Sequence, residues 1–299
     1  MEIFVALALS LVLIAVTVKK KAFTLPAALT AGGILLIAAF CAGYAGIFIV
    51  IGAYLIIFAV DLVLGKRSKK ATLGINKKSG ARDVVQVLVN SIVALIAIIL
   101  AKLTENDAFL VVYAVSLTEC LADSLASDVG VLSKKDPIDV CRLRPIKRGL
   151  SGGVSLLGTL AALGGSAAMS IFACLFIGFS LENILVILIF PMVGMLVDSV
   201  LGSLVQAKYT CKICSALTEK PVHCQKPTTL SGGVAFINND AVNLISNFLA
   251  SLLAFLFLLN LYCLSKRSRK AALYLGIVAC ITCPVITILY FRSYYESKA

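Results

Sequence analysis

The sequence has no tryptophan, a single histidine (His223) and few charged residues, which make up 14% of the chain. A lone histidine in a polar segment argues against a Ser-His-Asp hydrolase. Because few aromatic residues accompany the cations, nucleic acid is not expected as a partner. The chain also lacks a GxxxxGK[ST] sequence, which excludes a P-loop kinase. A charged fraction this low excludes an ordinary water-soluble domain of this length.

Hydrophobic residues make up 60% of the chain, and the mean hydropathy is +1.02. Long apolar runs alternate with short charged loops, and a span needs about 20 apolar residues. The predicted fold class is therefore all-α, a polytopic membrane helical bundle of about nine transmembrane helices. The first run is interpreted as a retained span, because its basic residues follow it. The predicted spans are residues 2–18, 24–42, 44–65, 84–102, 108–130, 150–178, 181–205, 238–263 and 271–291.

The spans divide into three predicted regions. Residues 1–80 hold the N-terminal spans and a basic cytoplasmic loop, and residues 251–299 hold the C-terminal spans. Between them, residues 81–250 form the expected catalytic membrane core, which includes a cysteine-rich cytoplasmic segment at 206–237.

The distribution of basic residues predicts the orientation. Residues 19–21, 66–82 and 134–148 are rich in lysine and arginine and fall on one side of the nine-span arrangement. Short basic loops stay in the cytoplasm, which would place the N-terminus outside. The basic loop at 266–270 falls on the opposite side and breaks this rule. The net charge of +12 favours contact with anionic membrane lipids. Without a transit peptide, a prokaryotic plasma membrane is expected rather than a plastid.

Polar residues recur inside the fifth predicted span. Ser116, Glu119, Asp123 and Ser127 follow one another at three- and four-residue spacing and share one helical face, whereas Asp128 lies off it. A carboxylate inside a membrane is costly unless it meets a cation, a proton or water, so such residues usually line cavities. The alternative is a helix-to-helix ion pair or a protonated acid that joins two helices.

Two later spans carry similar polar groups. Asp198 and Ser199 lie within the seventh span, and the eighth opens with a run of amides and one acid. Such clusters cannot face lipid, so the three helices are expected to surround a common cavity near the cytoplasmic interface. The candidate residues in the three helices are Glu119, Asp123, Ser124, Asp198, Asn239, Asp240 and Asn243.

A further polar face opens the fourth predicted span, where Arg82, Gln86 and Asn90 lie four residues apart. An arginine that snorkels at a helix entry explains Arg82 equally well. It does not explain the two amides, so all three residues are candidates for nucleotide binding.

The stretch GLSGGVSLLG at residues 149–158 follows Lys147 and Arg148 directly. Glycines between a basic loop and a helix let backbone N–H groups and the helix N-terminus point at one anion. A phosphate is the obvious candidate, bound by Lys147, Arg148, Ser151, Gly152, Gly153 and Ser155. The alternative is that the glycines only permit close helix packing.

Carboxylates suited to Mg²⁺, together with a phosphate cradle, are typical of phosphoryl or nucleotidyl transfer. In this interpretation Asp123 and Asp198 hold Mg²⁺. The five residues LSGGV return at 230–234, which hints at a duplicated unit.

Three of the ten cysteines lie in one segment together with the single histidine: Cys211, Cys214, His223 and Cys224. A C-x2-C pair followed by His-Cys is typical of a structural zinc site. Because adjacent ligands are sterically awkward, one of His223 and Cys224 could lie outside the first coordination sphere. Free structural cysteines are the alternative.

These segments, taken in order, resemble a known family. They are similar to the integral membrane family that contains the plant phytyl-phosphate kinase of vitamin E salvage and many prokaryotic members. The segments that carry the resemblance are RDVVQVLVN, ADSLASDVG, LSGGVSLLGTLAALGG, DSVLGSLVQ, CKIC with its later TE and HC, and INNDAVNLIS. More distantly, they are similar to phytol kinase, dolichol kinase and phosphatidate cytidylyltransferase. The cysteine segment departs from the cytidylyltransferase pattern.

The resemblance implies that Asp123, Ser124, Asp198, Asp240 and Asn243 carry metal-phosphate chemistry. It also implies a membrane prenyl-phosphate kinase that takes an isoprenoid monophosphate, such as a phytyl- or geranylgeranyl-phosphate-like lipid, and a nucleoside triphosphate, CTP or another, with Mg²⁺. The structural Zn²⁺ is expected from the cysteine and histidine spacing and not from the resemblance. The alternatives are a prenol kinase, a lipid-phosphate cytidylyltransferase and a transporter. The sequence does not determine the oligomeric state, for which a homodimer is one candidate.

Overall fold

The computed structural model describes residues 1–71 and 80–263, and the predicted span 271–291 and the basic loop 266–270 lie outside them. Helices dominate the described chain, as the sequence predicts. They are α1 (Glu2–Lys19), α2 (Leu25–Ala71), α3 (Val84–Val89), α4 (Ile92–Thr104), α5 (Asp107–Gly130), α6 (Leu156–Ile177), α7 (Leu181–Leu204) and α8 (Asn239–Cys263).

The long helix α2 contains the turn between the second and third predicted spans. Its backbone leaves helical geometry at Ala42 and at Gly43, where φ is +55°. The chain folds back there and brings the Ala38 carbonyl directly beside Gly46, which leaves no room for a side chain at Gly46. Glycine permits both the positive φ and the close approach. The two halves of α2 therefore match two predicted spans.

The fourth predicted span is divided. Asp83 caps α3, and its carboxylate accepts from the N–H of Gln86 at 2.9 Å, while the Gln86 side chain accepts from the N–H of Asp83 at 3.2 Å. The helix stops at Asn90, and α4 starts two residues later. With 13 residues, α4 measures about 20 Å, shorter than a hydrocarbon core. The break leaves polar groups of this segment at the level of the acidic residues of α5.

Helix α5 lies at the centre of the bundle. It packs against α2, α4, α6, α7 and α8, and its buried face includes Tyr113, Val115, Leu121 and Leu125. The Tyr113 hydroxyl donates to the Gly46 carbonyl at 2.8 Å and so ties α5 to the second half of α2. Because α5 is enclosed by other helices, its polar residues face protein and not lipid.

Six helices of the described chain are long and apolar enough to cross a membrane, if the Leu25–Gly65 stretch is counted once. The count of nine is therefore not confirmed, although α5, α7 and α8 begin and end within about one residue of the predicted bounds. Residues 150–155, predicted as the start of the sixth span, form a turn and a short strand ahead of α6.

Seven short strands stand in the two long loops. They are β1 (Ile138–Asp139), β2 (Gly153–Val154), β3 (Lys208–Thr210), β4 (Leu217–Thr218), β5 (Val222–His223), β6 (Lys226–Pro227) and β7 (Thr229–Gly232). All their pairings are antiparallel: β1 with β2, β5 with β6, and β3 between β4 and β7. Both loops lie at the same end of the bundle, because their residues line one cavity together with the ends of α5, α7 and α8.

Candidate functional site

A cavity of about 950 Å³ lies at this end of the bundle. Its polar wall contains most of the residues expected from the sequence, and its apolar wall comes from α1 and the second half of α2. The expected residues that line it are Arg82, Gln86, Asn90, Asp123, Ser124, Ser151, Gly152, Gly153, Ser155, Asp198, Asn239, Asp240 and Asn243. The structure thus brings together five segments that are far apart in sequence.

Asp198 is held by two side chains of α8. The Ser246 hydroxyl lies 3.5 Å from Asp198 Oδ2, and Asn243 Nδ2, in the amide orientation that satisfies its neighbours, donates to the same oxygen at 3.1 Å. Asn243 also donates to the Asn239 carbonyl at 2.8 Å, which orients the amide. Asp198 and Asn243 therefore present oxygen atoms to the cavity from fixed positions.

Glu119 does not line the cavity, although the sequence suggests a catalytic role. It is 2% exposed, and its carboxylate accepts from Asn247 Nδ2 at 2.7 Å and from the Ser246 hydroxyl at 3.1 Å. Asn247 also pairs with Ser116, accepting from the Ser116 hydroxyl at 2.7 Å and donating to the Ser116 carbonyl at 2.8 Å. Glu119 therefore joins α5 to α8, as in the alternative of an acid that joins two helices.

Asp128 is a second difference from the sequence interpretation. It was expected off the functional face of α5, but it lines the cavity and accepts from the Ser68 hydroxyl at 3.3 Å. Consecutive residues near the end of α5, among them Ser127 and Asp128, line the cavity, so more than one face of the helix contributes to it.

The glycine-rich turn has an internal partner that the sequence does not suggest. The N–H of Ser151, expected to bind phosphate, donates to the Glu219 carboxylate at 2.9 Å. The Ser151 hydroxyl accepts from Gln206 Nε2 at 2.7 Å. Glu219 is 8% exposed, and burial raises the pKa of its carboxyl, an effect that the Ser151 hydrogen bonds oppose. The Glu219 carboxylate thus accepts from an N–H group that the sequence interpretation assigned to a phosphate.

Ser155 and the two expected cations have structural partners. Ser155 caps α6, accepting from the Gly158 N–H at 3.2 Å and donating to the Gly130 carbonyl at 3.2 Å. Arg148 pairs with the exposed Asp136 at 3.1 Å and donates to the Lys134 carbonyl at 2.8 Å. Neither Lys147 nor Arg148 lines the cavity. Lys147 is exposed and Arg148 is paired with Asp136, so the structure does not bring the two cations to the cavity that the glycines line.

The glycines allow close packing, as in the alternative interpretation. Gly152 has φ +90°, and a Cβ there would lie 2.6 Å from the Ser203 Cα and N atoms of α7. A Cβ on Gly158 would collide with the Ala126 carbonyl of α5. Gly233 in the second LSGGV copy has φ +71° and lies against the Gln206 carbonyl. The two copies differ in conformation, since the positive φ falls on the third residue of one and the fourth of the other.

A buried aspartate anchors the basic loop to α7. Asp139 accepts from the N–H groups of Arg142 and Cys141 at 2.9 and 3.0 Å and from the Ser203 hydroxyl at 2.7 Å. Burial alone would raise the pKa of Asp139, but these hydrogen bonds and the Arg142 charge hold it below its ordinary value. The loop is therefore fixed by an ionised carboxylate.

Gln206 has one unsatisfied atom. Its side chain is 2% exposed and lines the cavity, and its Oε1 has no hydrogen-bond partner among the described residues. A buried acceptor of this kind favours a ligand or water that donates to it.

The sequence interpretation missed Asp139, Glu219 and Ser246. It placed Gln206 and Asn247 among the polar residues of the seventh and eighth spans but gave them no role in the site. Gln206, Glu219 and Ser246 stand in the segments quoted for the family resemblance, but none of the five residues has a spacing that predicts its partner. Each bonds to a residue more than 50 positions away, so no local pattern could identify it.

The four predicted metal ligands do come together. The ligand atoms of Cys211, Cys214, His223 and Cys224 all lie within 4.8 Å of one another. Hydrogen bonds from the backbone N–H groups of Cys214 and Ile213 lower the pKa of the Cys211 thiol to about 6. The thiolate is the form that binds metals.

Comparison with known proteins gives several relatives. Protein PGR of Arabidopsis thaliana is 29% identical over 231 residues, covering 68% of this chain and 79% of the relative. An uncharacterised membrane protein of Methanocaldococcus jannaschii is 27% identical, covering 52% of this chain and 66% of the relative. An uncharacterised membrane protein of Synechocystis is also 27% identical, covering 54% and 64%. No solved structure matches the chain.

The family model described as integral membrane protein DUF92 matches residues 8–251, which include α2 to α7 completely and parts of α1 and α8. The matched range contains the cavity and the cysteine segment, and it confirms the family resemblance drawn from the ordered segments. The relatives come from a plant and from prokaryotes, as that resemblance implies. The chain belongs to the integral membrane family DUF92.

Proposed function

We propose that this protein is a membrane prenyl-phosphate kinase, which transfers the γ-phosphoryl group of a nucleoside triphosphate to an isoprenoid monophosphate. The observation that carries the proposal is the composition of one cavity, whose polar end holds Asp123, Asp198 and Asn243 and whose other wall is largely apolar. A substrate with a charged head and a long apolar tail matches both parts.

The apolar wall supports a lipid substrate. The residues of α1 and α2 that line it include Leu9, Val12, Val16, Leu55 and Phe58. Val12 and Leu55 are 58% and 61% exposed, so this side of the cavity is continuous with the outer apolar surface of the bundle. An isoprenoid tail can enter between these two helices from the membrane without crossing water.

The polar wall supports phosphate chemistry that depends on a divalent cation. Six acidic residues line the cavity: Asp61, Asp123, Asp128, Asp198, Glu219 and Asp240. Arg82 is the only cationic residue among the described residues that line it. Phosphates would be repelled by this wall unless a cation accompanied them.

Carboxylate and amide oxygens are the ligands that Mg²⁺ prefers. Asp123 and Asp198 supply the carboxylates, and Asn243, which lies between Asp198 and Asn239, supplies the amide. Bound there, Mg²⁺ would neutralise the phosphates and polarise the transferring group. Arg82, which lines the cavity, would contact a phosphate oxygen, and Gln206 Oε1 would accept a hydrogen bond from the nucleotide or the substrate.

The reaction requires little from protein side chains. A monophosphate oxygen, already anionic near neutral pH, attacks the γ-phosphorus; its bond to the bridging oxygen breaks, and the nucleoside diphosphate leaves. No general base is needed, which suits a cavity wall without histidine among the described residues. Catalysis is positioning and charge neutralisation, as in other phosphoryl transfers. The active site would open to the cytoplasm, where the nucleotide is found.

The test uses the purified full chain with γ-labelled and α-labelled nucleoside triphosphates and a panel of prenols and prenyl monophosphates. We expect γ-label in a prenyl diphosphate, and Mg²⁺ dependence. Asp123→Asn and Asp198→Asn should remove nearly all turnover, whereas Asp136→Asn, an exposed residue of the basic loop, should retain it. Transfer of α-label with release of pyrophosphate would replace the proposal by nucleotidyl transfer. Labelling of prenols alone would replace it by a prenol kinase, and no labelled lipid would overturn it.

A further inference from the structure

We propose that Cys211, Cys214, His223 and Cys224 form a structural zinc site, and that the site fixes the segment carrying Glu219 against the cavity wall. Cys214 Sγ lies 3.5 Å from His223 Nδ1 and 3.8 Å from Cys224 Sγ, and Cys224 Sγ lies 3.3 Å from His223 Nδ1. Cys211 completes a group whose ligand atoms are all within 4.8 Å.

These distances fit a tetrahedral zinc ion. Zn–S bonds of about 2.3 Å and Zn–N bonds of about 2.0 to 2.1 Å imply about 3.8 Å between two sulfurs and about 3.6 Å between a sulfur and a nitrogen. The observed sulfur–sulfur distance and the two sulfur–nitrogen distances agree within about 0.3 Å, the scale expected of a metal site. Three sulfurs and one imidazole are a common zinc ligand set.

The backbone explains how adjacent residues bind one ion. In an extended strand, neighbouring side chains point to opposite faces. His223 ends β5, but Cys224 and Gln225 have φ of +49° and +60° and form the turn into β6. This turn breaks the alternation and directs both side chains to the same ion. The expected steric conflict between His223 and Cys224 is therefore absent, and both can be ligands.

A disulfide explains the cluster less well. A sulfur–sulfur bond measures about 2.05 Å, whereas the Cys214 and Cys224 sulfurs are 3.8 Å apart. A disulfide would also leave no role for an imidazole nitrogen facing both sulfurs. In addition, Ile213 N–H donates to Cys211 Sγ at 3.4 Å, as backbone N–H groups do in metal-binding turns.

The two ligand pairs enclose the segment that carries Glu219. Cys211 and Cys214 precede β4, Glu219 follows β4 directly, and His223 and Cys224 come after it. A metal ion therefore closes a short loop with Glu219 near its middle. Glu219 accepts from the Ser151 N–H, and this contact joins the loop to the glycine-rich turn. The site would act on the cavity by position, without touching a substrate.

Metal analysis tests the site directly and does not depend on turnover. We expect about one zinc per purified chain under reducing conditions, and Co²⁺ substitution should give the absorption bands of a tetrahedral thiolate site. Cys214→Ser and Cys224→Ser should lower zinc content by roughly 10-fold or more. The matched control is Cys174→Ser, a buried cysteine of α6, which should retain zinc. A metal-free preparation whose four residues remain reduced thiols and imidazole would overturn the proposal, as would zinc retained in both cysteine variants.

Hydrogen exchange tests the link to Glu219 in the wild-type chain, so no variant has to fold. Chelation should accelerate exchange of the Ser151 N–H and of residues 208–232, and zinc should restore protection. Exchange within α6 should not change. If the Ser151 N–H remains protected while zinc is absent, zinc does not hold the Glu219 segment in place, even if metal analysis confirms the zinc site. Because neither readout involves a nucleotide or a lipid, the zinc proposal can fail or hold independently of the kinase proposal.

Discussion

Substitution of Gly152 by alanine gives the sharpest test of the glycine-rich turn. The Cβ would lie 2.6 Å from Cα and N of Ser203, which are backbone atoms of a packed helix and cannot move aside. A left-handed backbone costs a residue other than glycine about 1 to 2 kcal/mol, and overpacking adds about 1 to 3 kcal/mol. We therefore expect the free energy of unfolding to fall by about 2 to 5 kcal/mol.

The matched control is Gly164→Ala in α6. No atom lies within 4 Å of a Cβ at this position, and alanine is favoured over glycine in a helix by about 1 kcal/mol. Thermal unfolding in detergent should thus show a lower Tm for Gly152→Ala, by roughly 5 to 20 °C, and an unchanged or slightly higher Tm for Gly164→Ala. At a temperature where Gly152→Ala is still folded, its turnover should be near that of the wild type.

Two results would refute this reasoning. If Gly152→Ala unfolds at the same temperature as Gly164→Ala, the close approach to Ser203 does not limit stability. If Gly152→Ala unfolds normally but loses turnover, Gly152 contacts a ligand, and the turn is a phosphate cradle after all.

Three further outcomes follow from the contacts described. Asp198→Asn should keep the wild-type Tm within a few degrees while abolishing turnover, whereas Asp136→Asn should leave both unchanged; an active Asp198→Asn protein would remove this residue from the site. Asn247→Leu removes the amide that donates to Glu119 and should lower the free energy of unfolding by about 2 kcal/mol. Each interhelical hydrogen bond in a membrane is worth about 0.6 kcal/mol on average, and a buried acceptor also loses its donor. An unchanged Tm in detergent would contradict this hydrogen-bond network. Asp139→Asn should lower the Tm at pH 7, and the difference in Tm from wild type should shrink as pH falls below about 4. The reason is that a group with a depressed pKa stabilises the fold only while its carboxylate is ionised. A constant difference down to pH 3 would show that the Asp139 charge is not the cause.

The sequence by itself determined the local features of the bundle. Apolar runs bounded by polar residues predicted α5, α7 and α8 closely, because a helix that must satisfy its own backbone within a membrane is fixed by length and hydropathy. Helical periodicity also predicted that Asp123 reaches a cavity, and ligand type and spacing predicted the cysteine cluster. Each of these inferences depends on residues that are neighbours along the chain or around one helix.

Only the tertiary structure decided how these elements meet. It joined Glu119 to Asn247, turned Arg148 toward Asp136 and placed Glu219 at the Ser151 N–H. These outcomes depend on the orientation of side chains between elements that are distant in sequence. A single sequence contains no periodic pattern that identifies such pairs. A glycine or an acidic residue has the same local pattern whether it binds a ligand or packs against a neighbour, so the final assignment required the positions of the neighbouring helices.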